Sequence, residues 1–264
     1  MSTYQNILTE VDQGVGLISL NRAVRGNALD DALVAELGAA VTAMAAWSEV
    51  RVLILSGLGP SFCSGADPQW LLHSALKSEA DNLADARAVG QMLRAVADCP
   101  KPTVARVHGS VLGVGVGLVA ACDIAIATFE TEFALNETRH GLIPGVLGPY
   151  VVNAIGARHA RRYMLTAERF SASEAYRLGL VHEIVADNAG LDHALADLID
   201  ALLGNGPAAL TESKTALALM QNRPVSAELL DHMAQRSARV RASAEGREGL
   251  TAVLEKRAPH WTPS

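Results

Sequence analysis

Apolar and polar positions along this chain switch between two periods. Residues Val15–Leu20 read as a strand, and Asp30 and Asp31, shortly after Asn27, mark the acidic first turn of a helix. Leu29, Leu33, Leu37, Val41 and Met44 then recur at spacings of three and four, which places them on one helical face. Residues 51–56 are a short apolar run rich in branched side chains, the pattern of a buried parallel strand. A glycine-rich loop over 57–67 follows. The polar, alanine-rich stretch 77–87 predicts a loosely held helix or lid. The middle of the chain repeats this order: a strand over 102–107, a glycine turn over 108–117 entering a helix over 118–122, and a strand over 123–128. Two strand–glycine-loop–helix units of this kind predict one superhelical β/α domain. From Gly145 onward the periodicity is helical. Ser171 and Glu174 form a capping box ahead of 175–178, and helices are predicted over 191–203, 208–220 and 226–240. Gly204 to Pro207 reads as a helix stop, dividing a core of residues 1–203 from a helical region of residues 204–264. The amphipathic helices of that region predict packing against another subunit.

Composition narrows the class. Half of the 264 residues are hydrophobic and 19% are charged, enough to bury a sizeable core, which excludes disorder as the main state. Lysine and arginine total 22 against 28 acids, a net charge of −6 with no basic tract, so nucleic acid is not an expected partner. The most apolar stretch, 111–127, is too short to span a bilayer and contains Asp123. Cys63, Cys99 and Cys122 lack the spacing of a disulfide framework or a zinc site, and no cluster with metal-ligand spacing is present. Residues 1–14 have neither a basic nor an apolar leader segment, so a soluble cytoplasmic protein is expected.

The two glycine loops carry the candidate chemistry. Residues without side chains let backbone approach a ligand, and amides at a helix start can point at one oxygen atom. Two such amides on a thioester carbonyl would stabilise an enolate. Spacing alone favours the plainer reading, in which the glycines serve tight turns and close helix–strand packing. Gly113, Gly115 and Gly117 do not form the dinucleotide fingerprint, because position 118 is leucine.

Several motifs together are more specific. Asn27-Ala28-Leu29, the run from Phe62 to Asp67, Lys101 to Ala105, and Gly109 with Gly113 and Gly115 stand in a characteristic order. Ala121-Cys122-Asp123, Phe133 to Glu137, Gly141 to Gly145 and the stretch 172–183 continue it. Over residues 4–185 the chain resembles the crotonase (enoyl-CoA hydratase/isomerase) superfamily. The run from Pro149 to Phe170 is similar to bacterial methylglutaconyl-CoA hydratases.

That resemblance implies an α/β fold, a β/α superhelical spiral core with a C-terminal helical trimerisation region, assembled as a homotrimer or a dimer of trimers. It implies an acyl-CoA substrate and no separate cofactor, coenzyme A being part of the substrate. The oxyanion-hole amides fall on Ala66 and Val114, the latter a departure, because the family usually has glycine there and valine resists positive φ. Of the two glutamates that serve the best-known hydratases, one falls on Glu137 and the other on Gly117, where the missing side chain is expected to leave room for water or a bulky β-substituent. Glu137 taken alone reads more simply as a surface carboxylate paired with Arg139; the resemblance reverses that. Substrate contacts are implied for Arg25 near the phosphates, for the backbone of Cys63 and Gly65, and for Asp67, Gly113 and His140. Gln69 stands where the family frequently has lysine. Arg139, His140, Arg161 and Arg162 are candidate partners for a second substrate carboxylate. Hydration by one glutamate is the expected reaction. A double-bond isomerase, a decarboxylase and an acyl-CoA-binding paralogue are the alternatives.

Overall fold

The structure is a computed structural model that describes residues 4–262. The chain begins β1 (Ile7–Asp12), β2 (Val15–Leu20), α1 (Asp31–Ala46), β3 (Val52–Gly57), α2 (Pro68–Ser74) and α3 (Glu79–Ala97). It continues β4 (Thr103–Val107), β5 (Ser110–Leu112), α4 (Val114–Ala121), β6 (Ile124–Thr128), β7 (Glu132–Ala134) and α5 (Gly148–Thr166). It ends β8 (Phe170–Ser171), α6 (Ala172–Leu178), β9 (Glu183–Val185), α7 (Asn188–Leu203), α8 (Pro207–Met220), α9 (Ala227–Arg241) and α10 (Ala244–Glu255).

Six strands form one sheet in the order β1-β2-β3-β4-β6-β9, parallel except for the β1–β2 pair. A second sheet holds β5, β7 and β8. Strand β3 is buried at every position, as a parallel strand covered on both faces should be. Its alternation sorts it between two layers. Leu53 and Leu55 join the main core with α1 and α3, while Val52 and Ile54 meet Leu195, Leu198 and Leu203 of α7.

Asp30 caps α1 by accepting from the Leu33 amide, and Leu33, Leu37, Val41 and Met44 are buried along the predicted face. The stretch expected as a loose helix or lid is the first half of α3. The second half of that helix buries Val89, Met92, Leu93 and Val96 against the core, which anchors the polar, largely exposed first half. The helix after the second glycine turn starts at Val114 rather than at 118, so Gly115 and Gly117 lie inside it.

Helices α8, α9 and α10 pack on one another and are tied to the rest of the chain by polar contacts. Lys214 Nζ lies 2.6 Å from Asp123 Oδ2, an oxygen that also accepts from the Thr103 amide and hydroxyl at 2.7 and 2.9 Å. Arg51 donates to the carbonyls of Trp261, Leu203 and Asn205 at 2.6, 2.7 and 2.8 Å. The outer faces of these helices and their connections expose Leu217, Val225, Leu230, Val253 and Leu254. No described helix is long and apolar enough to cross a membrane.

Because one guanidinium holds three carbonyls on the C-terminal side, Arg51→Met should lower stability by about 1.5–3 kcal/mol, the usual worth of hydrogen bonds to a charged group. Hydrogen exchange should show the loss of protection concentrated after residue 203, with β2, β3 and β4 little changed.

Candidate active site

The two glycine loops are fastened together edge to edge. Phe62 N donates to His108 O at 2.8 Å, Cys63 N to Ser110 O at 3.3 Å, and Leu112 N to Cys63 O at 3.0 Å. The first loop is held from beneath by Asn27, which is fully buried in a left-handed conformation (φ 56°) and donates to Leu58 O and Ser61 O at 2.9 and 2.8 Å. Gly65 (φ 98°) closes the loop. A Cβ on it would approach Leu112 O to 3.1 Å.

Ala66 follows. Its parallel bridge to Leu29 uses the Leu29 amide on Gly65 O at 2.8 Å and the Asp67 amide on Leu29 O at 2.7 Å. The alternation of a parallel ladder turns the Ala66 N–H away from that partner. Among the described residues no acceptor is bonded to it.

The second amide arises at a helix start. Gly113 takes the left-handed turn (φ 50°, ψ −120°) and donates its own N–H to Ala134 O at 2.8 Å. Val114 is the first helical residue and keeps a negative φ, so the concern that valine must adopt positive φ does not arise. At that position a helix has no internal acceptor for the N–H, and Gly113 offers no side-chain cap. Gly115 lets the helix lie on the first loop, since a Cβ there would fall 2.5 Å from Cys63 O.

Glu137 stands in the short 3-10 turn 137–140, which ends at Gly141 (φ 71°). Its carboxylate lies over Gly113, where a Cβ would meet Glu137 Oε1 at 2.9 Å. Oε2 is buried and has no hydrogen-bond partner among the described residues. Burial pushes the Glu137 carboxyl above its ordinary range, against smaller opposing pulls from its own backbone amide and from His140. A half-buried carboxylate of raised pKa thus lies against Gly113, the residue that precedes Val114.

Gly117 differs from expectation. A Cβ there would lie 2.6 Å from Leu147 Cβ, so the volume expected to be open to water or a β-substituent is filled by an apolar side chain. Leu147 precedes α5 and was invisible to motif reading, because its contact with α4 is purely tertiary. Asp67 is also placed differently from a ligand contact. It is 2% exposed, caps α2 through Gln69 N at 2.9 Å, and takes Arg22 and Arg25 on its other oxygen at 3.2 and 3.1 Å. Cys63 has both main-chain groups engaged and its side chain fully buried, with burial pushing the thiol up to about 12. Neither Cys63 nor the Gly113 amide has a donor to offer a substrate. Arg25 is half exposed, and its Nη1 also reaches Gln69 Oε1 at 3.2 Å, so the glutamine in the lysine position steadies this arginine. His140 and Arg139 are exposed at the end of the Glu137 turn.

This β/α spiral with paired glycine bends is a crotonase-type fold. It overlays an enoyl-CoA hydratase from Shewanella pealeana with a TM-score of 0.95 at 37% identity, covering 98% of this chain and 97% of the other. Residues 10–264 match the family model described as enoyl-CoA hydratase/isomerase, and the chain belongs to that family. It is 35% identical to a probable enoyl-CoA hydratase of Rhodobacter capsulatus, covering 98% of this chain and 99% of that protein. It is 31% identical to a 2,3-dehydroadipyl-CoA hydratase of Escherichia coli, covering 97% and 98%. A peroxisomal Delta(3,5)-Delta(2,4)-dienoyl-CoA isomerase of Arabidopsis thaliana is also 31% identical, covering 98% and 96%. The chain is an enzyme of the enoyl-CoA hydratase/isomerase class.

The raised carboxyl of Glu137 opposes folding once ionised, because charge is less welcome in the folded site than in the unfolded chain. Glu137→Gln should therefore be more stable than the natural protein at neutral pH. That advantage should shrink as pH falls towards the unfolded carboxylate range, which denaturant titrations of both proteins at pH 7.5 and 4.5 would check. Gly117→Ala should destabilise by about 1–3 kcal/mol through overpacking on Leu147, seen as a lower denaturation midpoint.

Proposed function

We propose that this protein adds water across the C2–C3 double bond of a 3-branched enoyl-CoA of the methylglutaconyl type, using one carboxylate. The Ala66 and Val114 amides hold the thioester oxygen. Glu137 takes a proton from water as its oxygen bonds to C3, and the π electrons move onto the thioester oxygen as an enolate. The protonated Glu137 then returns that proton to C2 on the same face. The observation that carries this reading is the Glu137 carboxylate lying over Gly113, the residue that precedes Val114 and its unpaired amide, with one oxygen buried and free. A carboxyl whose pKa is raised by burial is a stronger base than a solvated one and is better matched to a step in which it both takes and hands back a proton.

The branched acyl group is supported by the similarity over 149–170. For a substrate carrying its own second carboxylate, Arg139 and His140 are the exposed candidate partners nearest in sequence to Glu137. Arg162 is engaged with Glu168 at 2.6 Å. The apolar outer faces of the C-terminal helices, with Leu217, Leu230 and Val253 exposed, serve in this reading as the contact between subunits of a homotrimer. The second reading, a double-bond isomerase, rests on the same single carboxylate, because moving a proton between C4 and C2 needs only one base and no water.

Glu137→Gln should lose about two to four orders of magnitude in kcat while binding acyl-CoA as before. Incubation with a panel of 2-enoyl-CoA thioesters in oxygen-labelled water should yield labelled 3-hydroxyacyl-CoA, fastest for 3-branched acids. Product without label from a 3-enoyl-CoA would favour the isomerase.

A further inference from the structure

The Ala66 amide is only as well placed as the two segments that hold it, and a single side chain bridges both. Arg22 Nη1 donates to Ala28 O at 2.6 Å, while Nη2 lies 2.8 Å from Asp30 Oδ2 and 3.2 Å from Asp67 Oδ2. Ala28 and Asp30 flank Leu29, the residue bridged to Ala66, and Asp67 follows Ala66 directly. One guanidinium thus clamps the two strands of the bridge together, on both sides of Leu29 and just after Ala66. It does so out of water, for the side chains of Arg22 and Asp67 are 13% and 3% exposed.

The clamp is itself held. The Arg22 amide donates to Asn27 Oδ1 at 2.8 Å, and Arg22 O accepts from Arg25 N and Asn27 N at 2.8 and 3.0 Å. Arg25 shares Asp67 but is half exposed; its carbonyl accepts from the Ala28 amide at 3.1 Å, while its side chain makes no hydrogen bond to Ala28 or Asp30 among the described residues. Its loss would leave the bridge closed, whereas the loss of Arg22 would open it.

We infer that Arg22 is a positioning residue for the reaction, fixing the direction of the Ala66 amide by tying Ala28 and Asp30 to Asp67. This rests on the reading in which that amide holds the thioester oxygen. An oxyanion donor works through alignment, so a small rotation of one peptide weakens polarisation of the carbonyl with little effect on how the rest of the CoA binds.

Two variants separate positioning from simple support of the fold. Arg22→Lys keeps the charge, but an ammonium on a single stem cannot span the three acceptors. Asp67→Asn keeps the oxygen that caps α2 and removes the charge facing Arg22. The readout is the infrared carbonyl stretch of a bound acyl-CoA labelled with carbon-13 at C1, measured on folded protein, together with kcat and KM. The natural protein should lower that frequency on binding. In both variants the lowering should be reduced, with kcat down about ten- to hundredfold and KM within about threefold. A lowering that persists undiminished in both variants, even in a less stable protein, overturns the role given to Arg22 and leaves the oxyanion-hole reading standing. No lowering in the natural protein overturns both.

Discussion

An oxyanion hole asks something unusual of a fold: two backbone N–H groups must be left without partners in a setting where most polar groups are paired. Buried amides are almost always bonded, because an orphan costs as much as a lost hydrogen bond. Here several neighbours are engaged. Cys63 is bonded to Ser110 and Leu112, Gly65 and Asp67 to Leu29, and Gly113 to Ala134. Ala66 is left over by the alternation of a parallel bridge, and Val114 by the start of a helix. These two routes to an orphan donor need no strain at the donor itself, since the left-handed torsions fall on Gly65 and Gly113. The side-chain chemistry is then arranged around two places the ladder and the helix cannot fill.

The glutamate is placed by the same helix. Gly113 at its head admits the Glu137 carboxylate, and Gly117 one turn later admits Leu147. A helix N-terminus favours negative charge, by roughly 0.3–1 kcal/mol in exposed settings and up to about 2 when partly buried. Burial without a partner for Oε2 acts in the opposite direction and prevails, since the carboxyl is held above its ordinary range. The balance suits a group that must change protonation state twice per turnover, because neither form is strongly favoured by fixed partners.

Much of this was legible before the structure. Strand β2, the apolar run of β3, the face of α1 and the capping box of α6 follow from periodicity and end signals, which are local properties. The helix α4 was read too short, because glycine is among the weakest helix formers and its run looked like a turn. What overrides propensity there is contact: at Gly115 and Gly117 any Cβ would strike Cys63 or Leu147, so the helix tolerates the glycines in exchange for close approach. Asp67 illustrates the converse. Its burial and its pairing with Arg22 and Arg25 are tertiary, set by residues far earlier in the chain, and no local pattern around Asp67 announces them. Strands β1 and β9 and helix α10 also went unread.

A single acid constrains the chemistry more than it restricts the fold. With Leu147 against Gly117, a second carboxylate has no room at that position of α4, so in the proposed reaction the proton Glu137 collects is the one it returns. In the same proposal the amides at Ala66 and Val114 are the electron sink for either outcome, because an enolate forms whether water attacks C3 or a proton leaves C4. The choice between hydration and isomerisation therefore lies in what stands within reach of Glu137 when the substrate is bound. A 3-branched acyl group has its β-carbon crowded by carbon rather than by charge, and an apolar wall accepts that crowding where a second glutamate would be desolvated by it. In the proposed reading, the apolar contact at Gly117 both excludes a second acid at that position and sets carbon rather than charge on this face of α4.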